Sequence, residues 1–114
     1  MSDCLFCRIA AGDMPAEIVY QDDELVAFRD IGPQAPTHVL VIPRRHIDTV
    51  NDLTAEDVPL IGKMHLVAKQ IAEQEGIAED GYRTLINCNS AGGQAVYHIH
   101  LHLMGGRQML WPPG

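Results

Sequence analysis

His98-Ile99-His100-Leu101-His102-Leu103 is the stretch on which the reading of this chain turns. Three imidazoles alternate with three aliphatic side chains. Successive side chains of a β-strand point to opposite faces. An extended backbone therefore sets His98, His100 and His102 in one row and Ile99, Leu101 and Leu103 on the reverse face. A helix would scatter the same imidazoles around its circumference. The pattern predicts a strand over 95–104 with an apolar back, a front of ring nitrogens, and Gly105-Gly106 as its break.

Working outward, Gly92-Gly93-Gln94-Ala95-Val96 is a loop whose glycines let backbone N–H groups approach a phosphate closely. Tyr82 to Cys88 reads as a strand after a turn at Gly81. Thr54-Ala55-Glu56-Asp57 resembles a helix start, and the helix runs to about Gln74 with Gly76 as its stop. Its expected inner face is Ile61, Met64, His65, Ala68, Ile71 and Ala72. Pro59 lies beyond the first turn of a helix begun at Thr54, so the helix starts near Asp57 or its first turn is irregular. Thr37 to Ile42 is the most strand-like stretch, closed by Pro43. Ile18-Val19-Tyr20 and Leu25 to Phe28 form a hairpin around Gln21 to Glu24. Cys4 to Ala11 is a short helix, with Ser2 or Asp3 as N-cap and Gly12 at its end. Strands around one long and one short helix, without βαβ alternation, predict an α+β fold with an antiparallel sheet.

The chain of 114 residues reads as one domain, 1–114, with a core that needs no disulfides. A net charge of -7 argues against a nucleic-acid polymer held by phosphate neutralisation, but leaves room for a small nucleotide gripped by backbone N–H groups. No apolar run approaches membrane-spanning length, and no secretion segment is evident. Cys4, Cys7 and Cys88 are an odd number in a short chain, which sets the cytoplasm as the expected compartment.

Three readings of the histidine row compete. Buried structural imidazoles each need a hydrogen-bond partner. Histidines two apart on a strand can converge on zinc. Nucleophilic catalysis uses a neutral imidazole to attack phosphorus and a neighbouring one to protonate the leaving group. The last gains from the loop beside it, since transfer at phosphorus needs donors around the non-bridging oxygens.

His98-Ile99-His100-Leu101-His102-Leu103-Met104 resembles the signature of the histidine triad (HIT) superfamily. The rest is similar to its Hint branch of nucleoside phosphoramidate hydrolases, through 30–38, Gly92-Gly93-Gln94 and the tail 105–114. The resemblance implies that His100 attacks the α-phosphorus of a purine nucleotide such as AMP or GMP, forming a transient nucleotidyl-histidine. It implies that His102 assists the leaving amine, that His98 orients the row, and that His38 lies near His100 and tunes it. Asp30 corresponds to the ribose anchor, although an Asx-turn before Gly32-Pro33 is an equally physical reading. Asn87, Gly93, Gln94 and the N–H groups of Ala95 and Val96 correspond to the phosphate cradle. Leu5, Phe6, Ile9, Met14, Phe28, Ile31 and Leu40 resemble the base pocket. The family further implies a homodimer with paired sheets, the Trp111 tail approaching the partner's active site. Ala95 and Leu110 stand where eukaryotic relatives carry Ser and His, so substrate preference need not carry over. A dinucleoside polyphosphate hydrolase of the Fhit type, or a nucleotide-binding regulatory module, are the alternatives.

Cys4-Leu5-Phe6-Cys7 is a lone CxxC. A redox pair lacks the surrounding βαβ pattern. Structural zinc needs two more ligands, for which His46 and His98 are candidates, and some bacterial HIT proteins resemble this set. Two small buried hydrophobes are the third reading. Cys88 reads as core, His65 has no evident chemical role, and Arg44-Arg45 as a solvated turn.

Overall fold

The computed structural model describes residues 3–113. Its elements are α1 (Leu5–Ala10), β1 (Ile18–Gln21), β2 (Leu25–Arg29), β3 (Thr37–Pro43), α2 (Val58–Gln74), β4 (Tyr82–Leu85) and β5 (Leu101–Gly105). The five strands form one antiparallel sheet in the order β1-β2-β3-β5-β4, so the expected α+β class holds.

Alternation along the strands builds two cores. Leu25, Ala27, Val39, Val41, Leu101 and Leu103 pack against Met64, Val67, Ala68, Ile71 and Ala72 of α2. Val26, Phe28, Leu40 and Ile42 face the other way and meet Phe6 and Ile9 of α1. The register sets Phe28 opposite Leu40 and Leu40 opposite His102, which places the third imidazole of the row on the α1 side. No helix among the described residues is long and apolar enough to cross a membrane.

Several expectations are corrected. The histidine strand runs over 101–105 instead of 95–104, with Gly105 inside it, and 98–100 has no ladder partner. Ile99 donates its N–H to the Ile47 carbonyl at 2.7 Å instead. The alternation survives the loss of pairing, and Ile99, Leu101 and Leu103 are all fully buried. On α2 the inner stripe is Met64, Val67, Ala68, Ile71 and Ala72, spaced i, i+3, i+4, i+7, i+8. His65 falls outside that stripe and is exposed. Pro59 is accommodated because Ala55–Asp57 is a 3₁₀ turn, capped by Thr54 and Asp57, before α2 begins. Gln21 belongs to β1, β4 stops at Leu85, and Cys88 is half-buried. The N-cap of α1 is Cys4, whose Sγ accepts the Cys7 N–H at 3.4 Å; Asp3 precedes it and Ser2 lies outside the described residues. Arg44 is a clamp, not a solvated turn residue. Its guanidinium donates to the Ala10 and Asp22 carbonyls at 2.5 and 2.8 Å and to Gln21 Oε1 at 3.2 Å, tying α1 to the hairpin. Arg45 pairs with Asp57.

Candidate active site

Each imidazole of the row is held by a different neighbour, and the neighbour determines which ring nitrogen carries hydrogen. Carbonyl oxygens only accept, so the nitrogen facing one must be N–H. His98 donates from Nε2 to the Pro43 carbonyl at 2.7 Å, which leaves Nδ1 as its lone pair. His100 donates from Nδ1 to the His98 carbonyl at 2.8 Å, which leaves Nε2 as its lone pair. His38 accepts the Gln34 backbone N–H on Nδ1 at 3.0 Å, so its Nε2 carries hydrogen. That Nε2–H donates to His102 Nδ1 at 2.9 Å, and the hydrogen of His102 is therefore on Nε2. His102 Nε2 is buried without a hydrogen-bond partner among the described residues. The result is one basic nitrogen on His100 and one unspent donor on His102, on rings 4.9 Å apart.

Burial disfavours the charged imidazolium. It pushes His38, His98 and His100 below the ordinary imidazole value. Burial, with His100 and His38 beside it, pushes His102 down to about 4. The rings are neutral near pH 7, the state a nucleophile requires.

His100 and His102 form part of the wall of a cavity of about 330 Å³. Phe6, Met14, Phe28, Ile31 and Leu40 make its apolar side. Asp30, Asn87, Gly93, Ala95 and Val96 line it as well. Of the residues expected at a nucleotide, these ten are brought together, and so are Leu5 and Ile9. Gln94 is not among them. Its buried side chain braces the loop from behind, accepting the Asn89 N–H at 2.8 Å and donating to the Asp48 and Val96 carbonyls at 2.8 and 3.1 Å. Asp30 does form the Asx-turn, accepting the Gly32 N–H at 2.8 Å on Oδ1. Its Oδ2 sits 3.5 Å from His38 Nε2. His38 is placed against His102 and not against His100, because β3 and β5 pair with Leu40 opposite His102. Pro15, Ala16 and Arg29 also line the cavity and were not anticipated. Nothing in their local sequence marks them, since their place depends on how α1 docks on the sheet.

A second cluster lies at the other end of the row. Cys7 Sγ is 3.2 Å from His46 Nδ1 and 3.4 Å from His98 Nδ1, and Cys4 Sγ is 3.4 Å from His98 Nδ1. All four donor atoms lie within 4.8 Å of one another. Zinc–sulfur and zinc–nitrogen bonds of ordinary length in a tetrahedron separate S from N by about 3.5 Å. The Pro43 carbonyl and the Asp48 carboxylate hold the Nε2–H groups of His98 and His46, so both Nδ1 lone pairs turn toward the sulfurs. The donor set therefore fits a tetrahedral S₂N₂ metal site.

Comparison with known proteins gives one consistent answer. The family model for the scavenger mRNA decapping enzyme C-terminal binding domain matches residues 3–111. A purine nucleoside phosphoramidase of Escherichia coli is 58% identical over 107 residues, which is 94% of this chain and 90% of the relative. A HIT-like protein of Synechococcus elongatus is 54% identical over 98% of this chain and 97% of its own length. The crystal structure of a HIT family hydrolase from Legionella pneumophila superposes with a TM-score of 0.97 at 57% identity, covering 98% of this chain and all of that one. Identity this high, spread over both chains and carried by the same backbone, leaves one assignment: the chain belongs to the histidine triad (HIT) family.

Proposed function

We propose that the protein is a hydrolase of purine nucleoside phosphoramidates, cleaving the P–N bond through a nucleotidyl-histidine intermediate. The likeness to the phosphoramidase of Escherichia coli supports the reaction class. The observation that carries the mechanism is the complementary tautomers of His100 and His102 on one cavity wall. His100 Nε2 attacks the α-phosphorus, and the bonding pair of the P–N bond goes to nitrogen. The His102 Nε2–H donates a hydrogen bond to the departing nitrogen, which takes a proton from water and leaves as an amine. Water then attacks phosphorus, freeing His100 and the nucleoside monophosphate.

In this reading the purine lies among Phe6, Met14, Phe28, Ile31 and Leu40. Asp30 accepts from the ribose hydroxyls. Asn87, Gly93 and the N–H groups of Ala95 and Val96 surround the phosphate oxygens. Ala95 brings no hydroxyl, so any relay at that position runs through backbone alone. Cys4, Cys7, His46 and His98 bind a structural zinc ion, supported by the convergence of their donor atoms. Bound there, zinc would fasten α1 to the histidine row. A homodimer formed through the sheets is supported by β4 lying at a sheet edge and by the exposed Leu110 and Trp111 of the tail. The cytoplasm is the compartment that suits thiols kept reduced for metal.

The test is a comparison of adenosine 5′-phosphoramidates with a diadenosine polyphosphate, followed by acid quench during turnover. Preference for the phosphoramidate and a nucleotide adduct on His100 are the expected results. Preference for the polyphosphate transfers the protein to the Fhit type, and an adduct on another residue removes the mechanism.

A further inference from the structure

The segment 46–48 reaches three parts of the site at once. His46 enters the cysteine cluster through Nδ1, 3.2 Å from Cys7 Sγ. The carbonyl of Ile47 takes the N–H of Ile99, inside the histidine row, at 2.7 Å. Asp48 faces both ways. Its Oδ1 accepts from His46 Nε2 at 2.5 Å, and its backbone carbonyl accepts from Gln94 Nε2 at 2.8 Å. Gln94 in turn takes the N–H of Asn89 on Oε1, and its own N–H goes back to the Asn89 carbonyl at 3.0 Å. Asn89 holds φ +61°, a conformation that few side-chain-bearing residues adopt without local support. Gln94 is 6% exposed, so these bonds are sheltered from competing water. Its neighbours Gly93 and Ala95 line the cavity.

We propose that Asp48 is a positioning residue that couples the metal cluster to the phosphate loop. Its carboxylate fixes the tautomer in which His46 Nδ1 can ligate. Its carbonyl anchors the side chain that folds 89–96 around the phosphate position. A carboxylate behind a ligating imidazole raises the basicity of that ligand and fixes its plane. Ordering 46–48 by metal therefore orders the loop and the start of the row in one step. The inference rests on zinc occupying the four-donor site.

The test uses the whole chain loaded with zinc. Zinc affinity is read by competition with a chromophoric chelator in wild type, Asp48→Ala and Asp48→Asn. Asp48→Ala is expected to bind about 10- to 100-fold more weakly. Asp48→Asn keeps an oxygen acceptor and falls between the two. Amide hydrogen exchange is then followed at Asn89 and Ile99, whose N–H groups bond Gln94 and Ile47. Chelation is expected to speed exchange at both in wild type. In Gln94→Ala, Asn89 exchanges fast with or without zinc, while Ile99 still responds. Failure of the wild type to take up zinc would overturn the metal reading and this coupling with it. Equal zinc affinity in wild type and Asp48→Ala would overturn the coupling alone. So would Asn89 and Ile99 exchange that does not change on chelation.

Discussion

His38 Nε2 lies 2.9 Å from His102 Nδ1, across the β3–β5 pair. This contact makes the two outer rings of the row chemically different, although they share a strand direction and a residue type. His98 keeps its hydrogen on Nε2 against a carbonyl and turns a lone pair to the cysteines. His102 keeps its hydrogen on the same atom but spends its lone pair on His38. Which nitrogen carries hydrogen on each ring is thus set by three neighbours: Pro43, the backbone of His98, and His38.

Replacing the proposed nucleophile separates chemistry from binding. His100→Ala is expected to lose turnover by at least about 10³-fold while AMP affinity stays within a few-fold, since the base and ribose contacts are untouched. Single-turnover kinetics and titration calorimetry read the two quantities. Wild-type-like turnover would remove His100 from the mechanism.

His38→Ala deletes the partner that fixes the His102 tautomer. The Nδ1 and Nε2 forms of His102 then compete, and only one presents a donor. A fall in kcat of about 10²-fold with little change in KM is expected, within the range for general acid catalysis. The loss should be larger for substrates whose amine is a poor leaving group. A uniform loss across leaving groups would assign His38 to packing.

The acid limb of activity should lie low. Burial lowers the pKa of His38 and His100, and takes His102 to about 4, so free enzyme stays unprotonated below the usual imidazole range. The kcat/KM profile should hold as pH falls past about 6.5 and decline only as the lowered values are approached. Stability has the same sign: the unfolded chain takes up protons that these buried rings resist, so stability is lost as pH falls from about 6.5 toward the lowered values. A kcat/KM limb at or above about 6.5 would contradict the burial argument.

Metal removal should be felt at a distance from the cavity. Chelation of the zinc-loaded protein, or Cys7→Ser, is expected to lower Tm by several degrees, because folding then loses ligand bonds absent from the unfolded chain. Differential scanning calorimetry with and without chelator checks this; an unchanged Tm in a protein shown to hold zinc would make the cluster thermodynamically idle.

Arg44→Ala removes three hydrogen bonds between α1, the hairpin and the end of β3. A stability loss of about 1–3 kcal/mol in urea unfolding is expected, with the cavity loosened on its α1 side. A change below about 0.5 kcal/mol would return Arg44 to the surface.

The alternation of 98–103 and the turn residues are local patterns, and the sequence determined from them the α+β class and the two-faced histidine row. Those features depend on strand and helix periodicity, which neighbours in the chain impose directly. Three things were decided only by tertiary structure. His38 meets His102 because the β3–β5 register sets Leu40 opposite His102. Gln94 turns behind its loop because the Asp48 carbonyl, 46 residues away, offers it an acceptor. Arg44 becomes a clamp because α1 ends beside it. In each case a polar group is claimed by whichever partner packing brings within about 3 Å, and periodicity carries no information about that partner.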